Sequence, residues 1–177
     1  MKKNKTTEIA ITAMMIAFVA IAILFIKVPI PFTQGFVHLG DGLILFSLLL
    51  LGWKYGAVAG ACGAALGDLI SGYAMWAPWS FVLKAVMVVV AGLIIEKLKS
   101  SKLNFSIVKI VAMVIGGLLM VAGYYIAEGV MYGNFTAPLI SIPWNVGQLV
   151  VGIVIAVVLE VSISKSQMKA YFKYATK

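Results

Sequence analysis

His38 and Asp41 lie three residues apart at the mouth of an apolar run, "GFVHLGDGLILFSLLLLGWKYG", which spans residues 35–56. A carboxylate accepts hydrogen bonds, and an imidazole both donates and accepts them. Such a pair can hydrogen-bond a small polar molecule, cap the helix that follows, or supply part of a catalytic constellation. Further along, Asp68, Lys84, Glu128, Asn145 and Gln148 stand in otherwise apolar stretches. Aromatic residues crowd the same neighbourhoods: Trp76 and Trp79 in "GYAMWAPW", Tyr132 and Trp144 in "YGNFTAPLISIPWN". Flat rings with a few fixed donors and acceptors are how a small planar ligand is held.

What positions these groups depends on the solvent around the chain. Hydrophobic residues make up 63% of the sequence, charged residues 11%, and the mean hydropathy is +1.07. Soluble domains carry about 25% charged residues. Such a chain covers its outer surface with apolar groups and is read as an integral membrane protein. Its 177 residues allow one domain, residues 1–177. The net charge of +8 comes from lysines at the ends of apolar runs, with no arginine, a pattern of membrane topology rather than of nucleic-acid binding. The single Cys62 excludes a disulfide framework and a cysteine metal cluster, and no metal site is expected. "GACGAALGD" has glycines without the Lys-Ser/Thr ending of a phosphate loop, so no nucleotide site follows. Its Gly60, Gly63, Ala64 and Gly67 recur near four-residue spacing, which lets helices approach closely.

A spanning helix takes about 20 apolar residues. Six spans are expected: residues 6–28, 39–53, 56–73, 78–98, 107–132 and 142–163. The fold class is therefore all-α, a bundle of six transmembrane helices, with the break at "GWKYG" its least marked boundary. The N-terminal apolar run continues to about Val28, no small-x-small cleavage site stands out, and the segment reads as a retained first helix. Six spans put both termini on one side, with Lys2, Lys3, Lys5, Lys54, Lys97, Lys99, Lys102, Lys109, Lys165, Lys169, Lys173 and Lys177. The other side holds Lys27, with Lys84 inside a span. The positive-inside rule then makes both termini cytoplasmic.

On that map Glu8, Glu96 and Glu160 fall at cytoplasmic helix ends beside lysines. Asp41, Asp68, Lys84 and Glu128 fall in the outer half, with Asn145 and Gln148, at depths of roughly 6–9 Å for the deeper ones. Two readings stand side by side. The acids pair with Lys84 and the aromatics form an interfacial belt, or these groups line a cavity open to the outside. Intramembrane charges are costly unless they face protein or water, and several converge here from different helices. Asp68 and Lys84 share one depth, so an ion pair between them is one outcome. Asp41 as a helix cap and His38 as a ligand contact are others.

The string "HLGD…GWKYG…GD…SGY…AP…K" within residues 37–94 resembles the S components, the substrate-binding subunits, of energy-coupling factor (ECF) vitamin transporters. The likeness is to the riboflavin-transporter-like branch, which also holds members assigned to hydroxymethylpyrimidine or pyridoxine. It covers nearly the whole chain. The resemblance implies a bundle of six helices with a ligand pocket near the outer face of a bacterial plasma membrane. It implies as partners a membrane coupling subunit and two cytoplasmic ATPases, so that ATP is used by the partners and no cofactor by this chain. It implies an Ala-x-x-x-Ala face on the first helix for the coupling subunit. Ala13 and Ala17 match that pattern, Ala10 and Ala20 extend it, and internal packing is the other use of such a stripe.

The function expected is capture of a small heteroaromatic vitamin or precursor, pyridoxine or hydroxymethylpyrimidine, with riboflavin as the alternative. A stand-alone facilitator is a further reading. An intramembrane enzyme would need a nucleophile or metal constellation, and His38 is the sole histidine.

Overall fold

The structure, a computed structural model, describes residues 4–31, 35–164 and 172–174. Lys2, Lys3, Lys165, Lys169 and Lys177 lie outside the described residues. Asn4 opens helix α1 (Lys5–Phe25), its side chain accepting from the Thr6 N–H at 3.5 Å. A short antiparallel hairpin follows, β1 (Lys27–Pro29) against β2 (Phe36–His38), with Lys27 opposite His38. Next come α2 (Gly40–Ile70), α3 (Ala77–Leu98) with Pro78 in its first turn, and α4 (Phe105–Tyr132). Asn104 caps α4 by accepting from the Ser106 N–H at 2.9 Å, and left-handed Gly133 ends it. A 3-10 turn (Ala137–Ile140) leads into α5 (Ser141–Ser164).

The expectation of six spanning helices is corrected: the described residues form five helices, all long and apolar enough to cross a membrane. The expected second and third spans, residues 39–53 and 56–73, belong to one helical element, α2. Its interior is not straight. Gly52 has φ 80° and ψ 176°, a conformation open to glycine and strained for other residues. A Cβ on Gly56 would lie 2.9 Å from Leu48 Cα, and one on Gly60 2.7 Å from Ile44 Cγ2. In a straight helix residues eight and sixteen apart are about 12 and 24 Å distant. α2 therefore doubles back at Gly52, and the two limbs pack closely because glycines line the contact.

Doubling back leaves helix carbonyls without intrahelical donors. Residues near the C-terminus satisfy them: the Lys173 N–H donates to Leu50 O at 3.0 Å and the Tyr174 N–H to Leu49 O at 3.1 Å. Tyr174 also donates its hydroxyl to Glu96 Oε1 at 3.1 Å, and its carbonyl accepts from Lys109 Nζ at 3.4 Å. Lys109 is ion-paired with Glu160, both buried. Glu160 is thus part of the packed interior rather than an interfacial charge, whereas Glu96 pairs with the exposed Lys99. Lys54, Lys99, Lys109 and Lys173 gather at this end of the bundle, opposite the hairpin.

α2 is the hub, packing on α1, α3 and α5, while α4 closes the bundle against α3 and α5. Met15, Val19 and Ile23 form the buried stripe of α1. Val19 and Ile23 sit where Cβ atoms on Gly63 and Gly67 would be, so the small-residue run of α2 serves close helix packing. The outward faces are apolar too, as with Phe25, Val82, Leu118, Val154 and Val158. Helices apolar all round suit a lipid surround.

Candidate functional site

At the hairpin end, α2 begins with Asp41, whose side chain is wholly buried. Lys84 of α3, equally buried, places Nζ 2.6 Å from Asp41 Oδ1. The other oxygen, Oδ2, accepts from Gln148 Nε2 of α5 at 2.8 Å. Both carboxylate oxygens are thereby engaged with neighbouring helices, and Asp41 does not cap its own helix. A Cβ on Gly152 would lie 2.9 Å from Asp41 Cβ, so glycine at that turn of α5 is what admits the carboxylate between α2 and α5.

Gln148 continues the chain of contacts. Its Oε1 accepts from the His38 N–H at 2.7 Å, which ties the hairpin to α5. His38 Nδ1 accepts from the Gly40 N–H at 3.1 Å. The ring proton is then assigned to Nε2. Burial pushes the His38 pKa down to about 4; Asp41 opposes the shift and Lys84 adds to it. The imidazole is neutral at ordinary pH.

Above this buried cluster lies a narrow, partly enclosed slot. His38, Asp68, Trp76, Glu128, Asn145 and Gln148 line it, as do Ile30, Gly35, Phe36, Ser80 and Tyr124. The Trp76 and Tyr124 rings stand 6.1 Å apart, tilted by 51°. Ser80 Oγ and Tyr124 Oη are hydrogen-bonded at 2.8 Å, and Ser80 also bonds Asp68. Asp68 Oδ2 is buried without a partner. Glu128 Oε2 accepts from Ser141 Oγ at 2.6 Å. Aromatic planes with carboxylates, an amide and hydroxyls can take a planar ring that carries hydrogen-bond donors.

Six of the sequence-derived candidates thus meet on one slot, and Asp41 and Lys84 sit beneath it as a pair. The ion pair weighed between Asp68 and Lys84 is replaced by one between Asp41 and Lys84. Three aromatics lie away from the slot wall. Trp79 is half-buried and off the wall, about 100° round the helix from Ser80, which does face the slot. Tyr132 closes α4 one turn beyond Glu128, half-buried and also off the wall. Trp144, 37% exposed, faces a second, apolar groove with Val28, Pro143 and Gly147. Sequence reading missed Ser80, Tyr124 and Ser141. A helical signal for each existed: they stand one turn before Lys84, Glu128 and Asn145.

On α1, Ala10, Ala13 and Ala17 are exposed along the helix, whereas Ala20 is buried.

Five helices long and apolar enough to cross a membrane, with a polar slot sunk into one end, define a membrane-embedded protein of the ligand-binding type. The chain belongs to the family described as ECF-type riboflavin transporter, S component, which matches residues 3–165. It is therefore a transporter component and not an enzyme. It is 32% identical over 149 residues to the thiamine precursor transporter HmpT of Lactococcus lactis subsp. cremoris, covering 83% of this chain and 81% of that one. It is 33% identical over 115 residues to an uncharacterised protein of Pyrococcus woesei, covering 65% of this chain and 74% of the relative. The fold matches the S component of a bacterial ECF transporter with a TM-score of 0.75 at 19% identity, over 92% of this chain and 98% of the other. It matches the S component for biotin from an ECF-type ABC transporter equally, with a TM-score of 0.75 at 20% identity, over 98% and 99% of the two chains.

Proposed function

We propose that this S component captures a small heteroaromatic vitamin or vitamin precursor, of the hydroxymethylpyrimidine or pyridoxine class, in the slot at the hairpin end. The observation that carries this reading is the slot's wall: Trp76 and Tyr124 for stacking, with Asp68, Glu128 and Asn145 placed for ring substituents. The similarity to a thiamine precursor transporter over most of both chains supports the pyrimidine. Riboflavin is the second reading, favoured by the family's description.

The hairpin end faces outside and both termini face the cytoplasm, because lysines concentrate at the opposite end. A membrane coupling subunit docks on the exposed Ala10, Ala13 and Ala17 of α1, where small residues let a partner helix approach. Two ATPase subunits supply the energy. Release follows reorientation of the whole S component, which needs no polar pathway through the bundle.

Purification of the chain, followed by mass spectrometry of any small molecule that accompanies it and titration of tryptophan fluorescence, tests the reading. A pyrimidine or pyridoxine ligand is expected. Recovery of riboflavin alone would transfer the proposal to the second reading.

A further inference from the structure

Charges around the slot do not cancel. Lys84, the buried cation beneath it, is already matched by Asp41 at 2.6 Å. His38 is held neutral by burial. Two carboxylates then remain in the wall with hydroxyl partners alone: Asp68, bonded by Ser80, and Glu128, bonded by Ser141. Asp68 is 3% exposed and Glu128 2%, and Asp68 Oδ2 is buried, unpartnered and part of the slot. A buried acceptor without a donor is costly until a donor arrives. Lys27 lies over the Phe36 ring, 5.9 Å from its centroid, and does not line the slot.

We infer that the slot reads hydrogen-bond donors and rejects anions: its ligand is an unphosphorylated ring whose amine or hydroxyl donates to Asp68 Oδ2, with a second donor reaching Glu128. This rests on the slot being the ligand site, and it deepens that reading by naming the chemistry selected. Among the classes proposed, an aminopyrimidine bearing a hydroxymethyl group suits the wall well, with the amine on one side and the hydroxyl on the other. A phosphate ester of the same ring would bring two negative charges against two carboxylates in a site of low dielectric, where like charges repel strongly.

The test uses matched pairs: amino-hydroxymethylpyrimidine, pyridoxine and riboflavin, each against its own monophosphate, titrated into the purified full chain. Whichever ring binds, its phosphate ester is expected to bind at least about a hundredfold more weakly. Asp68→Asn replaces one acceptor oxygen with a donor amide. It is expected to weaken the free ring about tenfold or more and to narrow the gap to the ester. Glu128→Gln gives a second, independent variant should the first fail to fold, with melting curves run on both. An ester that binds as tightly as its free ring overturns the inference, as does a folded Asp68→Asn chain with unchanged affinity and an unchanged gap. Selective binding of riboflavin with its phosphate rejected would sink the small-ring reading and leave this one standing. Binding of none of the six would sink both.

Discussion

Lys84 and Asp41 meet 2.6 Å apart, with neither side chain exposed, and join α3 to the first turn of α2 directly beneath the slot. Gln148 on the remaining Asp41 oxygen extends this junction to α5, so three helices are held in register at the site end.

Breaking a buried pair by removing one partner leaves an uncompensated charge and costs about 3–5 kcal/mol. Lys84→Met and Asp41→Asn are each expected to lower the melting temperature of the purified chain markedly. The double change should recover part of the loss. Asp68→Asn combined with Lys84→Met should show no such recovery, since Lys84 is paired elsewhere. Thermal melts of the two double-mutant cycles check this; recovery in the Asp68 cycle alone would contradict the observed pairing.

Gly52 carries the reversal of α2 at φ 80°. A side chain there is strained by its backbone, at about 1–3 kcal/mol, and its Cβ would also lie 2.9 Å from Lys173 Cγ. Gly52→Ala should lower stability by about that amount. Affinity at the slot, at the opposite end of the bundle, should be nearly unchanged. Melting curves beside ligand titrations separate the two effects.

Ala13 and Ala17 are exposed and Ala20 is buried. Ala13→Leu with Ala17→Leu is expected to spare ligand binding by the isolated chain and to abolish uptake by the assembled transporter. Ala20→Leu should instead overpack the interior, at about 1–3 kcal/mol of stability. Uptake assays and melts on the two sets decide the matter. Equal loss of binding in the Ala13/Ala17 variant would assign that stripe to internal packing.

His38 gives a pH dependence with a definite sign. Its ordinary value of 6.5 falls to about 4 in the folded chain. Between those values the unfolded chain binds a proton that the folded chain does not, so stability rises with pH across that window. Full stability is present above pH 6.5 and is lost progressively down to about pH 4, by about 3 kcal/mol in all. His38→Asn should flatten this slope. Melting temperatures of both chains at several pH values between those limits would show a common slope if another group were responsible.

Hydropathy alone determined that this chain lives in lipid, where its apolar runs lie, and that Asp41, Asp68, Glu128, Asn145, Gln148 and Lys84 share one end while most lysines share the other. Those are statements about depth along a helix, and depth is counted directly in residues at a fixed rise. Prolines and caps set several element ends for the same local reason: Asn4, Pro78 and Asn104 act within one turn of where they stand. Rotation about each helix axis was not legible. In water an apolar stripe marks the inward face, but these helices are apolar all round, and the stripe is missing. That is why Trp76 entered the slot while Trp79 and Trp144 did not, and why Tyr124 and Ser80 escaped notice. Tertiary structure alone decided that Lys84 pairs with Asp41 rather than Asp68, because the choice depends on which helices adjoin and which way each faces. It also decided that two expected spans are one element doubled at Gly52. A glycine beside a Trp-Lys-Tyr run marks a bend, but only the contacts of Gly56 with Leu48 and of the C-terminal residues with Leu49 and Leu50 hold the two limbs together.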